Sequence, residues 1–142
     1  MKLIDGAKII IVSPDKILLF HRDDIPTIRS PDCWQLVGGG IEEGETPEQA
    51  LIREVKEEVS IDLKEYKLID KIIGTTGANV WVYMTFVKKE DEEKFKLGPG
   101  DGQEIGWFTI KEALALNLTP GTRITLTDYR DLIENMMKAA YI

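Results

Sequence analysis

The sequence predicts an α/β fold in which a mixed β-sheet is sandwiched between helices. Short apolar runs bounded by turn residues recur along the chain and read as strands. Two longer segments, one mid-chain and one near the C-terminal end, repeat apolar residues at helical spacing. Strands and two main helices in that order suit a single layered sheet.

The elements follow in order. Ala7 to Val12 and Lys16 to Phe20 are predicted strands, with Ser13-Pro14-Asp15 as the turn between them. Residues 23–32 contain Pro26, Pro31 and several polar side chains, so they are expected to form a loop. Trp34 to Val37 is a short strand leading into a glycine turn, Gly38-Gly39-Gly40. The first helix starts at Thr46, an N-cap residue followed by Pro47 at the first helical position and by Gln49 three residues after the cap. This is a capping box, with proline where its missing N–H does no harm. Tyr66 to Ile73 and Val80 to Val87 are strands, separated by the turn Gly74 to Gly77. Lys88 to Lys96 is a charged hairpin or loop, Glu104 to Phe108 a strand, and Ile110 to Leu116 a short helix. Thr125 to Ala140 reads as one terminal helix with Leu126, Tyr129, Leu132, Ile133, Met136 and Met137 inward.

The first helix carries the chemistry. Leu51, Ile52, Val55 and Val59 form its apolar stripe. Around the helical wheel, Glu57 falls roughly 60° to one side of Glu54 and Glu58 about 40° to the other. The acids therefore share a face beside the apolar stripe. Arg53 lies at the edge of that face next to Glu57, while Lys56 points elsewhere. Like charges at i,i+4, such as Glu54 and Glu58, repel even when exposed and more so when partly buried. A hard cation would offset that, and carboxylates with a backbone carbonyl suit Mg²⁺, with Mn²⁺ as the alternative. An acidic run is usually a solvated face. The glycine turn before this helix and the Arg-Glu pair inside it argue for a metal site instead.

The segment resembles the Nudix box, G-x5-E-x7-R-E-U-x-E-E-x-G-U with U aliphatic. Gly39, Glu45, Arg53, Glu54, Val55, Glu57, Glu58 and Ile61 stand at the required positions, and Ser60 replaces the final glycine. Val37 also stands where family members often have proline. The resemblance implies the α/β/α Nudix fold and hydrolysis of a nucleoside diphosphate linked to another group. It implies metal ligation by Glu54, Glu57 and Glu58, with the Gly38 carbonyl as a fourth ligand. Glu54 is our choice of general base, and Arg53 is expected to orient a carboxylate, Glu45 or Glu57. In MutT-type members an acid followed by Gly-Gln precedes a tryptophan-bearing strand and approaches the metals. Asp101, in Gly100-Asp101-Gly102-Gln103 ahead of Trp107, takes that place, with Glu104 as the competitor.

Substrate contacts are less legible. Trp34, Phe20, Trp81 and Tyr83 are candidate walls for a nucleobase, and Arg22 or Arg29 could meet phosphate. Members that cleave ADP-ribose or dinucleoside polyphosphates often carry a proline or tyrosine beyond the box; Gly77-Ala78-Asn79 offers neither. The resemblance thus favours a MutT-type nucleoside triphosphate pyrophosphatase, one whose substrate could be an oxidised nucleotide. A nucleotide-sugar or other diphosphate pyrophosphatase and a non-catalytic nucleotide-sensing module are the alternatives.

Composition bounds the rest. With 142 residues, 43% of them hydrophobic, the chain is expected to be a single domain, residues 1–142, with a full core. The longest apolar run near the N-terminus, Ile9 to Val12, is too short for a signal-peptide core or membrane helix. The lone cysteine, Cys33, precludes an internal disulfide and reads as a packing residue; His21 offers it no evident catalytic relay. A cytoplasmic setting is the expectation, as monomer or homodimer. A net charge of −7 argues against binding a nucleic-acid polymer but not a small nucleotide, because a divalent ion can bridge acidic residues and polyphosphate.

Overall fold

The structure is a computed structural model that describes residues 3–139. Seven strands form one mixed sheet: β1 (Gly6–Val12), β2 (Ile17–His21), β3 (Trp34–Gln35), β4 (Val37–Gly40), β5 (Lys67–Ile73), β6 (Asn79–Phe86) and β7 (Glu104–Phe108). The order β3-β2-β1-β6-β5 is extended by β4 pairing with β1 and β7 pairing with β2. Only β1 and β6 run parallel, from Gly6↔Val80 to Val12↔Phe86. The other pairs are antiparallel.

Helices cover both faces. On one side α1 (Pro47–Val59) lays Ala50, Leu51, Val55 and Val59 against Ala7, Ile9, Ile11, Leu18 and Val37. Full burial of a side chain the size of Val or Leu is worth about 1.5–3 kcal/mol, so this stripe seats the helix firmly. On the other side α2 (Ile110–Leu114), α3 (Pro120–Asp128) and α4 (Arg130–Ala139) pack Ile110, Ala113, Leu126 and Ile133 onto Ile10, Val12, Ile17 and Leu19. Ile9 through Val12 are all buried because both faces of β1 are covered. The expected sandwich of sheet between helices is therefore present. Among the described residues, no helix is long and apolar enough to cross a membrane.

Three elements differ from expectation. Gly38 to Gly40 is strand rather than turn, paired with β1 through Gly6↔Gly40, Ala7↔Gly39 and Lys8↔Gly38. Residues 89–94, in the charged stretch, form a 3₁₀ turn. The terminal helix is two helices. Thr119 caps Pro120, so helix begins five residues before the expected start at Thr125, and it breaks at Tyr129, which leaves helical geometry at φ −104°, ψ 14°. Leu132, expected inward, lies outward and is 42% exposed, whereas Leu126 and Ile133 are buried; at helical spacing Leu132 falls well off the face those two share. Ala140, the expected last residue, lies outside the described residues.

Candidate metal and substrate site

The local sequence places the carboxylates. Thr46 accepts from the Gln49 N–H while the Gln49 side chain accepts from the Thr46 N–H, so the capping box that starts α1 is complete. From that fixed start, the acidic face of α1 points at the edge of β4. The Gly38 N–H donates to Glu58 Oε1 at 2.8 Å. Glu54 lies against Gly39, where an added Cβ would stand 2.7 Å from its carboxyl carbon. Glycine is needed at Gly38 as well: its φ is +127°, and a Cβ would lie 2.2 Å from the Ala7 carbonyl oxygen.

Arg53 ties this corner together. Its Nε and Nη2 form a fork on Glu45, at 2.8 and 2.9 Å. Nη1 reaches Glu54 Oε1 at 2.9 Å and Glu57 at 3.4 Å, and Nη2 also donates to the Gly40 carbonyl at 3.0 Å. Hydrogen bonding from Arg53 pulls the Glu45 carboxyl down to about 2. The guanidinium is raised in turn, chiefly by its hydrogen bonding to Glu45. Of the two expected partners, Glu45 makes the closer contact. Glu54, absent from that expectation, is the second.

The remaining acids are held less comfortably. Burial pushes Glu58 up to about 7, against the pull of Lys8 and the Gly38 N–H. Burial also raises Glu54, partly countered by Arg53. Glu57 is half exposed. Glu54 and Glu58, whose charged forms are disfavoured by burial and by neighbouring carboxylates, make with Glu57 an oxygen donor set that a hard divalent cation fits. As the side chains stand, no three acids, cysteines or histidines among the described residues are gathered closely enough to clasp an ion. Glu58 is turned to the Gly38 amide and Glu54 to Arg53, so binding would draw on short side-chain rotations.

These acids border a cavity of about 630 Å³, within the usual range of about 300–1,000 Å³ for ligand pockets. Asp101 lines it together with Glu54, Glu57 and Glu58. Its competitor Glu104 is turned instead to His21 Nδ1, at 3.0 Å. Gly102, at φ +116°, lets the Asp101 loop press on the Phe20 ring, where a Cβ would come within 2.2 Å.

A family model described as NUDIX domain matches residues 2–129, which include the whole of this corner. The chain belongs to the Nudix family. It is 37% identical over 100 residues to an RNA pyrophosphohydrolase of a Nitratiruptor species, covering 69% of this chain and 54% of that protein. It is 33% identical over 108 residues to the nucleoside triphosphatase NudI of an Enterobacter species, covering 68% of this chain and 76% of that protein. The chain thus spans about half the length of the first of these relatives. A MutT/Nudix family protein from Listeria innocua superposes with a TM-score of 0.78 at 23% identity, over 98% of this chain and 99% of that one, a likeness of fold.

The structure separates the expected substrate residues of this Nudix chain. Phe20, Arg22 and Arg29 line the cavity. Arg22 is nonetheless committed to holding its own loop: Nε donates to the Ser30 carbonyl, Nη1 to Gln35 Oε1 at 2.9 Å, and Nη2 to the Arg29 carbonyl. Trp34, Trp81 and Tyr83 are absent from the cavity wall. Trp34 stacks on His21 with centroids 4.4 Å apart and meets the edge of Phe108. Trp81 carries Lys71 over its ring at 5.0 Å. Tyr83 is buried edge-on to Tyr66 in the α1 core. Strand alternation sends Trp81 and Tyr83 to the α1 side, while the cavity draws Val80 and Val82 from the same strand.

Sequence reasoning missed Lys8. It shares the alternation of Ile10 and Val12, so its stem leaves the sheet on the cavity side. Its Nζ donates to the Gly38 carbonyl at 2.9 Å. Burial pushes its pKa down, while Glu58 and Glu54 hold it up. A lone lysine inside an apolar strand was the available signal. The same Gly38 carbonyl, expected as a metal ligand, also accepts from Gln35 Nε2 at 3.3 Å.

Proposed function

We propose that this Nudix protein hydrolyses the diphosphate linkage of a nucleoside triphosphate, releasing a nucleoside monophosphate and pyrophosphate. The observation that carries this reading is the acidic face of α1, set against the glycine strand at the border of a nucleotide-sized cavity. Glu54, Glu57 and Glu58 would hold Mg²⁺, with Asp101 approaching from the facing loop. When bound, Mg²⁺ supplies neutralisation of the phosphate oxygens and lowers the pKa of the attacking water.

The chain's own residues do the rest. Glu54 takes the proton of the attacking water, while Arg53 fixes its other side through Oε1. Arg53 and Glu45 together set the carboxylates in place. Arg29, exposed at the cavity wall and making no ion pair among the described residues, is the cation available to the polyphosphate. The apolar walls Ile28, Leu36, Ile72 and Val80 suit a base. The likeness to a nucleoside triphosphatase over 76% of that protein supports a triphosphate substrate. The net charge of −7 weighs against an RNA polymer.

Incubation of the protein with Mg²⁺ and a panel of ordinary and oxidised nucleoside triphosphates tests this. Release of pyrophosphate from at least one member is expected, reduced by two orders of magnitude or more in Glu57→Gln. Turnover of nucleotide sugars alone would reassign the substrate. No turnover with Mg²⁺ or Mn²⁺ would favour a sensing module.

A further inference from the structure

On the reading that Asp101 works with the acids of α1, we infer that Gly98 is a positioning residue. Its contact with the C-terminal turn of α1 sets how close Asp101 comes to Glu57 and Glu58.

The contact begins with backbone groups that a helix cannot satisfy by itself. The last carbonyls of an α-helix have no partner within it. In α1, the Glu58 carbonyl accepts from the Gly98 N–H at 2.9 Å, and the Val59 carbonyl accepts from the Lys96 N–H at 3.1 Å. The segment ahead of Asp101 therefore lies directly on the turn that carries Glu57 and Glu58. Gly98 makes the closest approach. A Cβ there would stand 1.9 Å from the Glu57 carbonyl oxygen and 2.6 Å from the carbonyl carbon. Carbon atoms in contact sit about 3.5–4.0 Å apart, so any side chain at this position forces two backbones apart. Gly100 stays beside the same residue, where a Cβ would come to 3.6 Å from the Glu57 oxygen and 4.0 Å from its Cβ.

Asp101 is held from its other side as well. The Gly102 N–H donates to Asp23 Oδ2 at 3.1 Å. The Gln103 N–H donates to the His21 carbonyl at 2.9 Å, and Gln103 Nε2 donates to the Arg22 carbonyl and to Asp32 Oδ1, both at 2.8 Å. Pro99, Gly100 and Asp101 alone lie between the anchors at Gly98 and Gly102, and the ring of Pro99 locks its φ. So short a span has little slack. Lifting Gly98 off Glu57 moves Asp101 away from the acids, because Gly102 and Gln103 hold the far end in place. Gly100, Asp101 and Gly102 line the cavity and Gly98 does not, so Gly98 acts on the chemistry through Asp101.

Steady-state kinetics and Mn²⁺ binding by electron paramagnetic resonance, on Gly98→Ala, Asp101→Asn and the double variant, test this. Each single variant is expected to lower kcat by about tenfold or more with KM held within about threefold, and to weaken Mn²⁺ binding. In the double variant the losses should not multiply: Asp101→Asn should cost less than about twofold once Gly98 is alanine. Pro99→Gly adds slack to the same span without a clash, and should shrink the Asp101 effect too if Gly98→Ala fails to fold by circular dichroism. Ile133→Val loosens the core on the opposite face of the sheet and controls for lost stability; it should leave the Asp101 effect at its parent size. Losses that multiply in full would overturn the inference, as would a less stable Gly98→Ala that keeps the parent kcat. Parent kcat and Mn²⁺ binding in Asp101→Asn would overturn it as well. A parent protein with neither turnover nor Mn²⁺ binding would strike the reading of the acids itself and the inference with it, a result separate from any difference among the variants.

Discussion

The carboxyl group of Glu54 lies so close to the backbone at Gly39 that a Cβ there would stand 2.7 Å from its carbon and from Oε1, and 2.9 Å from Oε2. Gly39→Ala must therefore push Glu54 away from β4 or shift the strand. Displacing a reacting group by about an ångström can cost about a hundredfold in rate. A loss of that size in kcat, with the fold retained by circular dichroism, is the expected result of steady-state kinetics on this variant.

Arg53 serves Glu45, Glu54 and the Gly40 carbonyl at once. Lysine carries the charge but not the fork, so Arg53→Lys is not a conservative change here. Chemical denaturation is expected to show a loss on the order of 1–3 kcal/mol, from charged partners left unsatisfied. Glu45→Gln should lose less in stability, and its effect should not add to that of Arg53→Lys, because the two share one contact.

Ser60 ends α1 in the left-handed region, at φ 61° and ψ 31°, with its N–H on the Lys56 carbonyl. An L-residue is disfavoured there by about 1 kcal/mol. Ser60→Gly is expected to raise unfolding stability by up to about that amount in a denaturant titration, leaving turnover unchanged because the side chain is exposed and does not line the cavity.

Much of this was legible in the sequence because it is local. The Thr46-Pro47-Gln49 box sets where α1 begins, and helical spacing then sets which acids share a face. What escaped was made by contacts between distant segments. Lys8 reads as an interruption in an apolar strand until β4 is laid beside β1. Gly38 to Gly40 reads as a turn because three glycines lack strand propensity, yet pairing with Gly6 to Lys8 holds them extended. Trp34, Trp81 and Tyr83 are attractive base platforms by type, but the pleat assigns their faces, and that parity is set by the sheet. The break at Tyr129 was locally signalled in part: Thr119-Pro120 is a helix start of the same kind as Thr46-Pro47.

The raised carboxyl of Glu58 makes a prediction about pH. Its folded value of about 7 exceeds the ordinary 4.5, so the folded state holds the proton more tightly than the unfolded chain. That contribution to stability is fully present below about pH 4.5 and is lost as pH rises through about 7. Without divalent ions, the melting temperature is therefore expected to fall between pH 5 and pH 8 (an approximate window from these values), and Glu58→Gln should flatten that fall. Added Mg²⁺ should restore stability mainly at the alkaline end, where the carboxylate is charged. Scanning calorimetry with and without chelator reads both effects.

With a divalent ion in place, the acids of α1 are proposed to direct water to the linkage whose cleavage frees pyrophosphate. Phosphorus NMR of a nucleoside triphosphate reaction tests it most directly, because it identifies the products as well as the rate. Nucleoside monophosphate and pyrophosphate are predicted in equal amounts, dependent on Mg²⁺ or Mn²⁺ and nearly abolished in Glu57→Gln. Nucleoside diphosphate with free phosphate, or turnover that survives both chelation and Glu57→Gln, would contradict it.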